Sequence, residues 1–160
     1  MQEKKSNVKM EKTKKIKLVI LVGSDGTGKT TIKKALEKAS KYRYFVVDRL
    51  TDSIVFNKIF HRNIPSESDI LNFECNLKDI AEVSLIYLTA DTKILVKRLQ
   101  DRGENIDKKY INFINKTKQL FEEDYLDKTY FDYTVIDTGK NSINKCVELI
   151  IKFMEKKYDF

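Results

Sequence analysis

The chain has few of the residues that build metal clusters or disulfide frameworks. Its 160 residues include two cysteines, Cys75 and Cys146, one histidine, His61, one proline and no tryptophan. The cysteines stand far apart without a CxxC pair, and zinc needs a cluster of such ligands, so neither a zinc centre nor a disulfide scaffold is expected. Sparse cysteine fits a reducing, intracellular compartment. Both thiols fall in helical stretches and read as buried. Nothing beyond residue type favours a catalytic Cys75–His61 pair. His61, between Phe60 and Arg62 at a helix end, reads as a capping or surface residue. No apolar run approaches the roughly eighteen residues that span a membrane, and no apolar stretch with a small-residue end follows the N-terminal lysines as a secretory signal would. With five glycines and 41% apolar residues the chain is neither collagen-like nor a disordered polymer.

Negative charge is scarce near the start. The whole chain carries +7, yet residues 1–17 hold seven lysines against Glu3 and Glu11, leaving only +2 for the remainder. Basicity confined to one end reads as a solvated, disordered tail over residues 1–15, and a nucleic-acid partner is not expected. Residues 16–160 then form a single domain, long enough to bury a real core.

Four compact apolar runs read as strands, at 16–22, 42–47, 83–88 and 130–136. Helices read between and after them at 29–41, 51–60, from a Ser68 cap to 81, 90–102, 107–124 and 141–157. The evidence is apolar residues at helical spacing, as in Ile32, Ala35, Leu36 and Ala39. Strands alternating with helices argue an α/β fold with a parallel sheet covered on both faces and right-handed crossovers. Ligands of such sheets bind at the carboxyl ends of the strands. Three chemically suggestive segments lie there: Gly23 to Thr31, Asp48-Arg49, and Asp137-Thr138-Gly139.

Gly23-Ser24-Asp25-Gly26-Thr27-Gly28-Lys29-Thr30 fits G-x-x-x-x-G-K-S/T in full. The glycines let the backbone curl with its N–H groups inward, and the helix that follows adds its positive N-terminus. Together they can surround a triphosphate, with Lys29 on the outer phosphates and the Thr30 hydroxyl on Mg²⁺. Phe45-Val46-Val47-Asp48 is an apolar strand ending in an acid. Asp48 is placed to support the metal and can also cap the next helix. Arg49 beside it can clamp a phosphate bidentately or lie on the surface. Arg98 and Arg102, four apart, share a helix face next to Lys97 and Gly103. Either that face is a closing lid that stabilises transferring phosphates, or it is a solvated face paired with Asp101 and Glu104.

The phosphate loop with Thr31, the Asp48-Arg49 pair, and Ile86-Tyr87-Leu88-Thr89-Ala90-Asp91 leading to Arg98, Arg102 and Gly103 together resemble the thymidylate kinase and deoxynucleoside (monophosphate) kinase group of P-loop kinases. The resemblance covers roughly residues 16–157. It implies a P-loop NTPase three-layer sandwich whose short parallel sheet has about four strands, with ATP and Mg²⁺ as cofactors. It also implies Asp25 by the acceptor sugar, Asp48 at the metal with Thr30, and Arg49 on the acceptor phosphate. Lys29, Arg98 and Arg102 would act on the transferring phosphates, and Thr138, Gly139, Lys140 and Asn141 would lie near the adenine. Gly26 stands where some relatives carry a basic residue, so the chain resembles the type that places it in the lid. The strand and helices that usually precede the Asp-Arg strand are missing, with the segment that helps read thymine. Leu50 replaces the aromatic often found after Asp-Arg. Phe56, Phe60, Arg62 and Phe73 are candidates to contact a base, or, for the aromatics, to pack in the core.

The expected activity is an ATP- and Mg²⁺-dependent phosphotransferase acting on a deoxynucleoside monophosphate, dTMP-like, in the cytoplasm. Its partner would be a small-molecule nucleotide, with no membrane and a homodimer left open. Alternatives are a kinase of nucleosides or other small hydroxyl compounds, with Asp48 or Asp25 as base, and a trimmed, non-catalytic nucleotide-binding protein. Asn115-Lys116-Thr117-Lys118 begins like the guanine-reading NKxD but ends in lysine where guanine needs a carboxylate, which argues against a regulatory GTPase.

Overall fold

The computed structural model describes residues 15–158. Of the tail expected over residues 1–15, residues 1–14 lie outside the described residues. Four strands, β1 (Ile16–Val22), β2 (Phe45–Asp48), β3 (Ala81–Thr89) and β4 (Asp132–Asp137), form one parallel sheet in the order β2-β1-β3-β4. Among the described residues the helical segments are, in chain order, α1 (Lys29–Ala39), α2 (Ser53–Ile59), α3 (Glu67–Ile80), α4 (Thr92–Asp101), α5 (Lys108–Leu120), α6 (Leu126–Lys128) and α7 (Ile143–Tyr158). A π-helical turn, Phe121–Tyr125, joins α5 to α6.

The uninterrupted apolar run of β1 has a direct cause: both of its faces are covered. Val19 and Leu21 face one buried cluster with Ile32 and Leu36 of α1 and Ile150 and Met154 of α7. Ile20 and Val22 face the other, with Ile54, Ile70, Phe121 and Tyr125. Burying each such aliphatic side chain contributes about 1.5–3 kcal/mol. The register pairs Leu21 with Asp48, Val22 with Tyr87 and Thr89 with Asp137. The carboxyl ends of all four strands therefore come level, and the three segments singled out in the sequence emerge at one rim.

The four-stranded parallel sheet with helices on both faces agrees with the expectation from sequence, and β2 forms one edge. Several boundaries differ. Ser66, not Ser68, caps α3: its hydroxyl accepts from the Asp69 amide at 3.2 Å. The second strand starts at Phe45, because Lys41 and Tyr42 take left-handed backbone angles, φ 53° and 58°, that no strand can hold. Cys146 is buried as expected, but Cys75 is exposed. Helix α3 turns Ile70 and Glu74 inward, and the residue after Glu74 is rotated about 100° away from that face. Phe60 and Phe73 are about half exposed, so neither is a core residue. Asn115 to Lys118 lie within α5, where Asn115 accepts from the Thr92 hydroxyl at 2.6 Å, so this stretch is helix rather than a base-reading loop. Among the described residues no helix is long and apolar enough to cross a membrane.

Candidate active site

The loop between β1 and α1 folds against the sheet rim. A Cβ on Gly23 would stand 2.3 Å from the Leu88 carbonyl oxygen, so only glycine fits between β1 and β3. Gly28 precedes α1 with φ 93°, a left-handed angle that turns the chain into the helix. A Gly23→Ala variant is expected to lose about 2–4 kcal/mol of stability. The readout is the thermal midpoint, which should fall by roughly 10 °C. An unchanged midpoint would refute the packing described here.

Lys29 is buried and curls over the loop. Its Nζ donates to the carbonyls of Gly23 at 2.8 Å and Ser24 at 2.9 Å, with Thr27 Oγ1 at 3.4 Å. Thr27 in turn donates to the Ser24 carbonyl at 2.9 Å. Burial, then the nearby Arg49, lower the Lys29 pKa, against the pull of Asp48 and Asp25. The ammonium is thus held at the centre of the loop. Thr30 Oγ1 lies 3.5 Å from Asp48 Oδ2. Asp48 Oδ1 is buried with no hydrogen-bond partner among the described residues. An unsatisfied carboxylate oxygen beside a hydroxyl is the donor set a hard divalent cation prefers.

Arg49 follows with φ 69°, left-handed for a residue other than glycine. Its amide donates to the Leu21 carbonyl at 3.0 Å. Its guanidinium pairs with Asp25 Oδ1 at 3.1 Å and lies 5.2 Å from the centre of the Phe56 ring. The other Asp25 oxygen accepts from the Tyr110 hydroxyl at 2.9 Å. Burial, with the adjacent Asp25 carboxylate, pushes the Tyr110 phenol up to about 12. Asp52 is buried too, and burial raises its carboxyl pKa despite Arg49 nearby.

The two arginines expected on one lid face go to two different places. Arg98 donates to the Gly26 carbonyl at 3.1 Å, Thr138 Oγ1 at 2.9 Å and the Thr138 carbonyl at 2.7 Å. It ties the phosphate loop to the segment after β4. Arg102 pairs with Glu104 at 2.8 Å and borders the recess around Lys29 and Thr30.

Three neighbouring recesses run along the rim. The middle one, about 200 Å³, is bounded by Lys29, Thr30, Asp48 and Arg102. On one side it shares Gly26, Gly28 and Thr31 with a recess of about 260 Å³ that Arg98, Thr138, Asn141 and Cys146 complete. On the other it shares Asp25 and Arg49 with a wider one of about 620 Å³, walled by Phe56, Phe60, Arg62 and Phe113. Asp25, Arg49, Phe56 and Arg62, singled out in the sequence, thus meet around one cavity. Gly139 and Lys140 border neither small recess; their amides cap Asp137 Oδ1 at 2.8 and 3.1 Å. Sequence reasoning did not single out Tyr110, Phe113 and Thr117. Their spacing along α5 was the available signal, since it puts all three on one helix face.

No protein-family model matches the chain, and no curated protein sequence matches it. Solved structures do. The YorR protein of Bacillus subtilis, in complex with phosphorylated GDP, is 23% identical with a TM-score of 0.73, over 89% of this chain and 98% of that one. Deoxyadenosine kinase from M. mycoides, with dCMP bound, is 16% identical with a TM-score of 0.59, over 87% and 98%. Thymidylate kinase from Candida albicans is 15% identical with a TM-score of 0.58, over 92% and 94%. At these identities the likeness establishes the fold, a three-layer P-loop NTPase sandwich of the kind these kinases have.

Proposed function

We propose that this chain is an ATP- and Mg²⁺-dependent phosphotransferase whose acceptor is a deoxynucleoside monophosphate, dTMP-like. One observation carries the reading. Arg49 and Asp25 stand where the recess of about 200 Å³ around Lys29 and Thr30 meets an aromatic-walled recess of about 620 Å³. An arginine fork at such a junction suits the phosphate of an acceptor whose base lies among the aromatics. The fold likeness to enzymes named deoxyadenosine kinase and thymidylate kinase supports the same reading.

Thr30 and Asp48 would hold the magnesium, and bound MgATP would supply the transferable phosphoryl group with part of its charge neutralised. The loop amides and Lys29 hold the phosphate chain. To do so Lys29 exchanges its carbonyl partners for phosphate oxygens. Arg98 and Thr138 border the recess of about 260 Å³, where the adenine would lie. Arg49 aligns the acceptor phosphate, and Arg102 comes over the phosphate recess as the segment around Gly103 closes. A phosphate acceptor needs no strong base, because its oxygen is already anionic; positioning and charge compensation suffice.

A hydroxyl acceptor would instead need a free base. Both Asp25 oxygens are already engaged, by Arg49 and Tyr110, and Asp48, whose Oδ1 has no partner among the described residues, is taken up by the magnesium in this reading, which together favour the phosphate acceptor. A cytoplasmic setting, without membrane or nucleic-acid partner, belongs to this reading. The test is a panel of nucleosides and nucleoside monophosphates scored for ADP release from MgATP. Deoxynucleoside monophosphates should be the best acceptors. Turnover of nucleosides alone would move the assignment to a nucleoside kinase, and triphosphate binding without any turnover would make the chain a non-catalytic binder.

A further inference from the structure

A buried polar chain runs from α3 to the turn that carries Arg49. Glu74 has no exposed surface. Its Oε1 accepts from the Thr129 hydroxyl at 2.7 Å and the Tyr130 amide at 2.9 Å, and its Oε2 accepts from the Tyr125 hydroxyl at 2.7 Å. Tyr125 Oη also lies 2.6 Å from Thr51 Oγ1. A carboxylate only accepts, and a phenol has one proton. The Tyr125 proton therefore points to Glu74, and the Thr51 hydroxyl must donate to Tyr125. The chain has one direction, fixed at its far end by the carboxylate.

Two local features exist to make it. The π-helical turn Phe121–Tyr125 widens the helix by one residue and swings Tyr125 into the cluster below the sheet. At the other end Thr51 is two residues beyond Arg49, whose left-handed backbone persists only where its surroundings over-determine it. Those surroundings are the Arg49 amide on the Leu21 carbonyl, the Leu50 amide on Asp52 Oδ1 at 3.0 Å, and the Thr51 link to Tyr125. Neither Glu74 nor Tyr125 borders any of the three recesses.

We infer that Tyr125 is a positioning residue: the relay Glu74–Tyr125–Thr51 fixes the Arg49 turn and so aims the guanidinium at the junction of the phosphate and acceptor recesses. The kinetic consequence rests on the function proposed above; the geometric one does not. Tyr125→Phe keeps the ring against Phe121, whose centre is 6.0 Å away, and removes only the hydroxyl.

The experiment has two arms. In protein labelled with ¹⁵N-arginine, the Arg49 Nε resonance is assigned by its loss in Arg49→Lys. It should be resolved and sharp in the unsubstituted protein. In Tyr125→Phe, and in Thr51→Val as an independent break, it should move toward the position of exposed arginines. Thr51→Ser, which keeps the hydroxyl, should leave it in place. In the kinetic arm, KM for dTMP should rise about tenfold in both broken variants while KM for ATP stays within about twofold. An unmoved Arg49 resonance in both broken variants would overturn the inference, as would a lowered thermal midpoint with an unchanged dTMP KM. If the unsubstituted protein turns over no monophosphate, the kinase reading fails, and the resonance arm alone still decides the relay.

Discussion

Lys29→Met should lower kcat by about a thousandfold or more while leaving the protein folded. Methionine has nearly the length of lysine and no charge, so it can occupy the same buried path over the loop. What disappears is the set of donors now directed at the Gly23 and Ser24 carbonyls at 2.8 and 2.9 Å. In the proposed reaction these donors turn to phosphate oxygens, where the transition state spreads its charge. Loss of a donor that acts there lowers kcat more than it raises KM. The unfolding transition should stay cooperative, because the variant removes a desolvated charge from a nearly buried site. Steady-state kinetics with MgATP and the best acceptor of the panel check this, and full turnover in the variant would reject the assignment of the loop.

Arg49→Ala should act on the other substrate. The acceptor KM should rise about 10- to 100-fold, the worth of a lost charge-assisted hydrogen-bond pair. The KM for ATP should change little. Alanine tolerates φ 69° no better than arginine does, so the backbone strain is the same before and after, and the effect isolates the guanidinium. Asp25 loses its ion-pair partner but keeps Tyr110. A rise in ATP KM with an unchanged acceptor KM would place Arg49 on the donor phosphates instead. Initial rates over a grid of both substrates separate these outcomes.

What could be read in the sequence was local. Gly23 to Thr30 is a contiguous motif, and the strand before it and helix after it are set by apolar periodicity within a few residues. Asp48 could be placed because a strand ends where its apolar run ends. The parallel sheet followed from alternation, since a strand covered on both faces leaves no polar positions. Other features depend on contacts distant in sequence. Arg98 looked like half of a lid pair, because a four-residue spacing shows a shared face but not what that face meets. It meets the Thr138 carbonyl, 40 residues away in sequence. Tyr110 reaches Asp25 across 85 positions, which no spacing rule conveys. The π-helical turn at Phe121 continues an ordinary helical pattern, so the added residue that turns Tyr125 inward leaves no mark in the periodicity. Ser66 and Ser68 are both competent caps, and the choice between them is made by where the chain leaves the preceding loop.

The departure at the acceptor side has a structural counterpart. The strand and helices noted as missing ahead of β2 are absent, and the sheet ends at β2 with Phe45 largely exposed on its edge strand. The wide recess is walled instead by α2 and α5, through Phe56, Phe60 and Phe113. Recognition of a base would thus fall to residues that follow Arg49 in the chain rather than precede it. This is consistent with Arg62 lying 4.8 Å from the centre of the Phe60 ring at the mouth of that recess.

In the proposed function the amides around Thr27 and the Lys29 ammonium form a seat for a magnesium-bound purine triphosphate. Isothermal titration of the full chain with ATP in the presence of Mg²⁺ tests it without reference to any acceptor. Saturable binding at one site is expected, lost in Lys29→Met. If neither ATP nor GTP produced a binding signal with magnesium present, at concentrations into the millimolar range, the loop would not be a triphosphate site and the proposed kinase function would fall with it.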